Sequence, residues 1–426
     1  MSRYSKSEEW LRRAEKTIPL GSQTFSKSRT QYPVGISPLY IDKAQGCHVW
    51  DLDGNKYIDL VSSLASVTLG YNDRGVNSAV KKQLRKGVSF SLPGRLEAEV
   101  AELICEMVPS AELVRFGKNG TDATSAAVRL ARAYTGRDHV AVCGYHGWQD
   151  WYIGSTTRNK GVPDTVSALT HKFEFNDVTS LESILEEYSC AAIILEPMNS
   201  RFPEDNFLEK VRELATKYDA VLIFDETITG FRFSAGGAQE LFSVIPDLST
   251  FGKGMANGFP ISAVVGKAEI MQEMQNIFFS GTFGGELLSL AAANYVMKKI
   301  QSGNVIKELE TIGDLIATQL ENLIREKDLL DVLQLSGHGS WKFLNWSSSR
   351  ELNQNELKTY FMQEIFEAGV LVLGTHNISL AHGPKEQRLI IDAYDRVLTR
   401  LSRNLNTGEL RKMLKVQPLE PLFKVR

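Results

Sequence analysis

Short apolar runs alternate with amphipathic stretches through the middle of the chain. The runs at residues 113–116, 140–142 and 191–195 are typical of buried strands. Small apolar positions recur with helical spacing between residues 121 and 136, and residues 207–217 form a second amphipathic pattern. Strands that alternate with helices of this length predict a mostly parallel sheet with helices on both faces.

The two ends of the chain predict a second, smaller α+β domain. Residues 39–60 alternate apolar and polar positions around Asp53-Gly54, which predicts a small antiparallel sheet with a hairpin turn. Residues 5–18 have a helical pattern, which Pro19 ends. We therefore predict an α/β fold with a large domain over residues 61–303 and a small domain built from residues 1–60 and 304–426.

Composition narrows the class of protein. The 426 residues include 43% apolar and 23% charged residues and have a net charge of −3, without a long basic run. These values predict a soluble globular protein that binds neither nucleic acid nor membranes. The four cysteines lack metal-ligand spacing, and we expect reduced thiols and no metal site. The chain also lacks an apolar segment of signal-peptide or membrane-spanning type, so we expect a cytoplasmic location.

Two polar residues follow buried strands and suggest chemistry. Asp225 ends the apolar run VLIFD, and Lys253 lies between two glycines after the run DLSTF. A carboxylate at the carboxyl end of a buried strand needs a cationic partner. A desolvated lysine can form a Schiff base with a carbonyl. Pyridoxal 5′-phosphate (PLP) needs both groups, an Asp for its pyridine nitrogen and a Lys for its aldehyde. By themselves, these residues also allow Asp225 to cap a helix or bind a metal.

The segments FDETITGFR (224–232) and GGAQELFSVIPDLSTFGKGMANGFPISAVVG (236–266) resemble the class III PLP-dependent aminotransferases. The chain is most similar to the branch that includes glutamate-1-semialdehyde aminomutase. The resemblance covers nearly the whole chain, and its most specific motifs lie between residues 114 and 293. It implies the aspartate aminotransferase-like fold (fold type I), PLP as cofactor, Lys253 and Asp225 as catalytic residues, and a homodimer with shared active sites.

The family binds the cofactor phosphate at a turn of the form NSGTEA, and this chain has KNGTDA at residues 118–123. Gly120 and Thr121 match that pattern, whereas Asn119 replaces the usual serine and Lys118 also departs from it. A glycine-containing turn at a helix N-terminus presents N–H groups to a phosphate. The resemblance therefore implies that Asn119, Gly120 and Thr121 bind the phosphate through backbone donors, without the serine hydroxyl.

Other cofactor contacts are implied by the same resemblance. Tyr145, in the motif YHG, stacks on the cofactor ring, although a strand-end aromatic can also be a core residue. Glu196 begins the family's EP motif, and Asn199 is the amide expected near the phenolic oxygen. Thr282, in a GT motif, is expected to reach the phosphate bound by the partner subunit.

Four further residues are candidates for substrate binding. Ser22 and Gln23 lie in a polar loop that the family places at the mouth of the active site. Arg232 can bind a carboxylate in bidentate fashion, or it can be a structural ion-pair residue. His376 lies near the position of a glutamate that the aminomutases carry and this chain lacks.

The predicted reaction is the transfer of an amino group from an amino-acid donor, expected to be glutamate, to a carbonyl acceptor. The segments YHGWQDWYIGSTTRN and IPLGSQTFSKS are similar to class III enzymes of bacterial surface-polysaccharide pathways, which suggests a sugar or small polyol derivative as acceptor. An aminomutase is the main alternative, but GTFGGEL replaces its GTLSGNP. A PLP-dependent decarboxylase or racemase and a non-catalytic scaffold remain further alternatives. A Rossmann dehydrogenase is disfavoured because no GxGxxG motif follows a strand.

Overall fold

The computed structural model describes residues 3–349 and 352–420. The chain forms two compact units. One, which we call the discontinuous unit, combines the N-terminal segment up to Asp73 with the segment that begins at Lys307. The other, which we call the central unit, runs from Arg74 to Ile306.

The strands in chain order are β1 (Ile41–Gln45), β2 (His48–Asp51), β3 (Lys56–Asp59), β4 (Leu113–Gly117), β5 (His139–Cys143), β6 (Thr170–Lys172), β7 (Cys190–Leu195), β8 (Val221–Asp225), β9 (Leu248–Phe251), β10 (Ser262–Gly266), β11 (Leu333–His338), β12 (Trp341–Trp346), β13 (Val370–Leu371) and β14 (Thr375–Asn377). The helices are α1 (Ser5–Ala14), α2 (Ser62–Ala65), α3 (Arg74–Leu84), α4 (Arg95–Met107), α5 (Gly120–Thr135), α6 (Asp150–Ile153), α7 (Asp164–Ser167), α8 (Val178–Glu187), α9 (Phe207–Lys217), α10 (Ala238–Leu241), α11 (Ala268–Met271), α12 (Leu287–Ser302), α13 (Val305–Glu326), α14 (Gln354–Glu367) and α15 (Pro384–Thr407). Short 3₁₀ helices are formed by Pro19–Gly21, Phe25–Lys27, Lys253–Ala256, Gln272–Gln275 and Leu410–Met413.

The central unit, all of whose residues are described, contains one seven-stranded sheet in the order β4-β10-β9-β8-β7-β5-β6. The strands from β9 to β6 pair in parallel, whereas β10 is antiparallel to both β9 and β4. Because both of its neighbours oppose β10, β4 points in the same direction as β9. The predicted large, mostly parallel sheet is confirmed.

Helices cover both faces of this sheet because successive strand residues point to opposite sides. On one face, the small residues Ala123, Ala126 and Ala127 of α5 bring that helix close to β5, β7 and β8. On the other face, Leu181 of α8 and Phe207 of α9 pack against the alternate residues of the same strands. The central strands are therefore buried on both sides, which explains their continuous apolar sequences.

The discontinuous unit has two small sheets among the described residues, β1-β2-β3-β13 and β11-β12-β14. The predicted hairpin at Asp53-Gly54 joins β2 and β3, and Gly54 has a φ of +90°. The predicted helix over residues 5–18 is too long, because α1 ends at Ala14 and Ile18 is extended. The ring of Pro19 disfavours a helical conformation for the residue before it. Within the described residues, no helix has both the length and the apolar character to cross a bilayer.

α2 is a left-handed turn that buried polar groups support. Its four residues, none of them glycine, all have φ between +45° and +67°, and such residues are disfavoured in this region. Asp59 accepts hydrogen bonds from the N–H groups of Val61 and Ser62 at 2.7 and 3.2 Å. Asn377 donates to the carbonyl oxygen of Val61, and His382 Nε2 donates to the carbonyl oxygen of Asp59. These bonds hold the turn in its strained conformation.

His376 and His382 make the stability of the protein sensitive to acid. Burial lowers the pKa of His376 to about 3 and that of His382 to about 4. Both side chains thus stay neutral in the folded protein at pH 5, whereas in the unfolded chain they take up a proton near pH 6.5. Since the folded pKa values are lowered, the unfolded state gains protons first as the pH falls. Each histidine should lower the free energy of unfolding by about 2 kcal/mol between pH 7 and pH 5.

Urea unfolding at pH 5, 6 and 7 measures this loss. In His376→Gln the difference between pH 7 and pH 5 should shrink by about 2 kcal/mol, because one of the two titrating groups is gone. Tyr394→Phe, which removes the hydroxyl bonded to His376 Nε2 but no group that titrates between pH 5 and pH 7, is the control and should keep the wild-type difference. If the free energy of unfolding of His376→Gln falls between pH 7 and pH 5 by as much as that of the wild type, His376 does not contribute to the acid sensitivity.

Candidate active site

Lys253 lies directly after β9, at the start of the 3₁₀ helix Lys253–Ala256. Its φ is +39°, a conformation that is uncommon for a residue with a side chain. The side chain is half-buried, and its charge contributes to lowering the pKa of Asp225. The two groups singled out in the sequence are therefore neighbours.

Asp225 ends β8 with its carboxylate buried and fully hydrogen-bonded. Oδ1 accepts bonds from the Thr227 N–H at 3.1 Å, the Thr227 hydroxyl at 2.6 Å and the Thr250 hydroxyl at 3.0 Å. Oδ2 lies 2.8 Å from Nδ1 of His146. Burial alone would raise the pKa of Asp225, but the bonds and charges of His146, Thr227 and Lys253 outweigh it and hold the pKa below its usual range. The carboxylate is therefore ionised at neutral pH.

His146 connects this carboxylate to the backbone. Its Nε2 lies 3.1 Å from the carbonyl oxygen of Cys143, and its Nδ1 faces Asp225. The His146 ring thus fixes the orientation of the Asp225 carboxylate.

The turn before α5 is a backbone cradle. Asn119 is the N-cap residue, and Asp122 Oδ2 accepts hydrogen bonds from the N–H groups of Lys118 and Asn119 at 2.9 and 2.8 Å. The Thr121 hydroxyl is buried and has no hydrogen-bond partner within the described residues. A buried polar atom of this kind indicates a missing ligand. At a helix N-terminus, that ligand is most simply an anion.

Tyr145 and Glu196 face each other across the ends of β5 and β7. The Tyr145 N–H donates to Glu196 Oε2 at 3.3 Å. Gly144, with a φ of +105°, leaves room for the Glu196 carboxylate, because a Cβ at this position would lie 2.6 Å from its oxygen. The Tyr145 ring packs edge-on against Tyr152, at 5.7 Å between ring centroids. Asn199, which follows Glu196 closely in the sequence, is also buried. Its Oδ1 accepts a 2.6 Å hydrogen bond from the Ser200 N–H.

One edge of the sheet therefore carries most of the predicted residues. β9, β8, β7 and β5 are consecutive parallel neighbours, and their carboxyl ends lead to Lys253, Asp225, Glu196 and Tyr145. β4 runs in the same direction and ends at the cradle before α5. Ligands of open α/β sheets bind at this edge.

The family described as Aminotransferase class-III matches residues 31–385, well over half of the 426 residues. The chain belongs to the class III aminotransferases. Glutamate-1-semialdehyde 2,1-aminomutase of Aquifex aeolicus is 33% identical over 422 residues, which cover 92% of this chain and 98% of the relative. The 3-aminobutyryl-CoA aminotransferase of Cloacimonas acidaminovorans is 31% identical over 415 residues, with 95% and 99% coverage.

A solved structure of the FumI protein of Sphingopyxis sp. MTA144, which contains PLP, superimposes with a TM-score of 0.88 at 25% identity. The superposition covers 97% of this chain and 99% of that one. The fold is therefore that of the PLP-dependent transferases of fold type I. The protein is a class III aminotransferase whose cofactor is pyridoxal 5′-phosphate.

The remaining predicted residues of the aminotransferase are distributed over both units. Ser22, Gln23 and His376 belong to the discontinuous unit, where His376 is buried and its Nε2 lies 2.6 Å from the Tyr394 hydroxyl. Arg232 is fully buried in the central unit, and burial lowers its pKa to about 10. Thr282 is exposed.

Three polar neighbours of Asp225 were not predicted. His146 stands in the YHG motif beside Tyr145, Thr227 follows Asp225 by two residues, and Thr250 interrupts the apolar run of β9. A threonine within a fully buried strand is the signal that sequence reasoning could have used, because a buried hydroxyl requires a hydrogen-bond partner. The role of His146 depends on the strand order β8-β7-β5, which brings the end of β8 within reach of the residues that follow β5.

Gly147 tests the cradle. Its φ is +108°, and a Cβ there would lie 2.3 Å from the Thr121 hydroxyl oxygen. Gly161 has a comparable φ of +92° but no atom within 4 Å of the same point. Gly147→Ala should therefore destabilise the protein by about 2 kcal/mol more than Gly161→Ala, and it should also weaken PLP binding. Urea unfolding and PLP titration of both variants measure this; equal effects would show that Gly147 matters only for its backbone angle.

Proposed function

We propose that Lys253 and Asp225 are the catalytic pair of this aminotransferase and that it moves an amino group from an amino acid to a carbonyl acceptor. The observation that carries the proposal is that Lys253 and Asp225 follow the neighbouring parallel strands β9 and β8, where the Lys253 charge helps to lower the pKa of Asp225. The Asp225 carboxylate is held there by His146, Thr227 and Thr250.

The residues present fit the cofactor. Asp225 supplies a buried carboxylate for a protonated pyridine nitrogen, Lys253 an amine for the aldehyde, and Tyr145 a half-buried aromatic ring. Asn119, Gly120 and Thr121 form the N-terminus of α5, where the Thr121 hydroxyl lacks a partner. We assign the phosphate to this helix end, and Glu196 and Asn199 to the surroundings of the ring.

When bound, PLP supplies an electron sink for the carbon–hydrogen bond that breaks. Lys253 has two tasks: it holds the cofactor covalently between turnovers, and its released amine carries the proton to and from the substrate carbon. Asp225 keeps the proton on the ring nitrogen, since an ionised carboxylate stabilises that cation. His146 helps to keep Asp225 ionised and fixes the orientation of its carboxylate.

Glutamate is the donor that we propose, and a sugar or small polyol derivative is the proposed acceptor. The support is the sequence similarity of residues 145–159 and 18–28 to class III enzymes of surface-polysaccharide pathways. Ser22 and Gln23 remain the proposed substrate contacts. Arg232 and His376 were predicted as further contacts, but their burial favours a supporting role, in which they hold neighbouring groups and do not touch the substrate.

We propose that the enzyme acts as a homodimer in which Thr282 reaches the partner's phosphate site. Phe278 and Phe283 on either side of Thr282 are 83% and 59% exposed in the single chain. Apolar side chains exposed to this degree are typical of protein interfaces. Sedimentation velocity of the wild type and of Phe278→Ser tests the assembly; a monomeric, fully active wild type would contradict it.

An aminomutase is the second candidate, because several relatives carry that name. One experiment distinguishes the aminotransferase reaction from the aminomutase reaction. Purified enzyme should have a visible absorption band, which glutamate should convert to the pyridoxamine form with release of 2-oxoglutarate. An aminomutase would instead isomerise one substrate without releasing a keto acid. A band that no donor converts would therefore contradict the proposed transfer.

A further inference from the structure

Lys118 and Glu286 form an ion pair between two helix beginnings of the central unit. Lys118 Nζ lies 3.0 Å from Glu286 Oε2, and only 20% and 13% of the two side chains are exposed. Lys118 directly precedes Asn119, the N-cap residue of α5, and Glu286 is the N-cap residue of α12. The pair therefore connects the turn assigned to the cofactor phosphate with a distant part of the chain.

Glu286 is an immobile partner for this lysine. Its Oε1 accepts a hydrogen bond from the Leu288 N–H at 2.7 Å, and its Oε2 accepts bonds from the Ser289 N–H at 3.1 Å and the Ser289 hydroxyl at 2.6 Å. Burial alone would raise the pKa of Glu286, but the bonds from Ser289, Lys118 and Leu288 outweigh it and lower the pKa. The carboxylate is ionised and fixed to the first turn of α12.

The main chain of Lys118 is held from the opposite direction. Its N–H and that of Asn119 both donate to Asp122 Oδ2, at 2.9 and 2.8 Å. Asp122 thus fixes the backbone of the turn to α5, while Glu286 fixes the Lys118 side chain to α12. A turn held at both its backbone and its side chain keeps one conformation, which is what a preformed anion site requires.

The segment before Glu286, residues 278–286, is fastened to the same part of the sheet. Arg129 of α5 donates to the carbonyl oxygen of Phe278 at 3.1 Å, and Arg115 of β4 donates to that of Phe279 at 3.2 Å. Three cations from β4, the turn and α5 thus hold both ends of the segment. Between these ends, Thr282 and Phe283 are exposed.

We propose that the Lys118–Glu286 ion pair is a positioning device that sets the α5 turn for the cofactor phosphate and couples it to residues 278–286. The inference rests on the proposed assignment of the phosphate to the α5 N-terminus. Lys118 acts through Glu286 and is not itself a phosphate ligand. Because coupling between two sites is reciprocal, PLP that occupies the turn must also restrain residues 278–286.

A direct contact between Lys118 and the phosphate predicts the opposite response to one substitution. Glu286→Gln removes the charge that holds Lys118, but its single side-chain oxygen can replace only one of the two carboxylate oxygens that accept from Leu288 and Ser289. Lys118→Met removes the same ion pair and leaves the α12 cap intact. If Lys118 were a phosphate ligand, its release from Glu286 would strengthen the attraction of the lysine to the phosphate. If the ion pair positions the turn, its release must weaken PLP binding.

The experiment measures PLP dissociation constants by fluorescence titration of the apoprotein for Lys118→Met, Glu286→Gln and the double variant. Each single substitution should weaken PLP binding by about tenfold, the scale of one charged hydrogen bond. The double variant should be no weaker than either single variant, because both remove the same interaction. Lys118→Arg, which retains the ion pair, should bind PLP as the wild type does.

Hydrogen exchange of residues 278–286 with and without PLP gives a second readout. PLP should slow the exchange in the wild type and leave it unchanged in Glu286→Gln. The control is Glu182→Gln, which breaks the exposed ion pair with Lys217 between α8 and α9 and should change neither measurement.

Two results would overturn the proposal. Tighter PLP binding in Glu286→Gln together with weaker binding in Lys118→Met would make Lys118 a direct ligand. Unchanged PLP binding in both variants, with only a lower melting temperature, would make the pair purely structural. If Gly147→Ala and Thr121→Val bind PLP as tightly as the wild type does, the proposed phosphate site is wrong. That result is distinct from the two that would overturn the role of the ion pair.

Discussion

Replacing Lys253 by alanine is expected to lower kcat by about 10⁴-fold, the upper range for loss of a positioned general acid–base. The substitution removes the covalent attachment of the cofactor and the amine that carries the substrate proton. Its structural cost is small, since Lys253 is half-buried and lies at a strand end. Single-turnover reaction with glutamate, followed by absorbance, measures the loss separately from product release.

The visible absorption band should shift in Lys253→Ala, because the imine bond to the protein is gone. Lys217→Ala, at an exposed lysine that pairs with Glu182, is the matched control and should behave as the wild type. A small primary amine in the buffer should restore part of the single-turnover rate, since it can replace the missing base. Wild-type turnover in Lys253→Ala would refute the assignment.

Asp225→Asn is expected to lower kcat by about a thousandfold, because the ring nitrogen loses the anion that keeps it protonated. Asparagine has nearly the same shape and can still accept hydrogen bonds from Thr227 and Thr250. The change thus removes charge with little loss of packing. It also replaces the carboxylate oxygen that faces His146, so we expect weaker PLP binding as well.

Asp247→Asn is a matched control for this substitution. Asp247 is also a buried carboxylate. Burial alone would raise its pKa, but Lys267, Arg212 and the Leu222 N–H outweigh this effect and lower the pKa. It precedes β9, whereas Asp225 ends β8, so the two lie at opposite edges of the sheet. Asp247→Asn should reduce stability and leave kcat within about twofold of wild type, as expected for a site distant from the chemistry. Similar losses of kcat in the two variants would contradict the role of Asp225.

Several elements were predictable to the residue because local signals agreed with the tertiary structure. The predicted bounds of α9 and β8 are those of the structure. For β8, the run VLIFD changes abruptly from apolar to acidic at its end. By contrast, nothing in residues 62–65 announces a left-handed turn, because that conformation depends on Asp59 and on Asn377 from the far end of the chain.

The candidate site was predictable only in part. Lys253, Asp225 and Tyr145 each stand next to a recognisable strand end, so their common location follows once the strands are parallel. The function of His146 could not be assigned in this way, since its contact with Asp225 depends on the order of β5, β7 and β8 in the sheet. The sheet order is a property of the whole fold, and no local sequence pattern encodes it.

The sequence by itself determined the alternation of strands and helices and the strand ends that carry polar groups. These depend on periodicity and on the chemistry of single residues, which are local. The PLP-dependent class was indicated by the resemblance of residues 224–232 and 236–266 to a known family. Only the tertiary structure decided that β10 lies between β4 and β9, so that the α5 turn reaches the same edge as Lys253. It also decided that Lys118 meets Glu286, 168 residues away, because long-range pairs are set by packing and not by spacing along the chain.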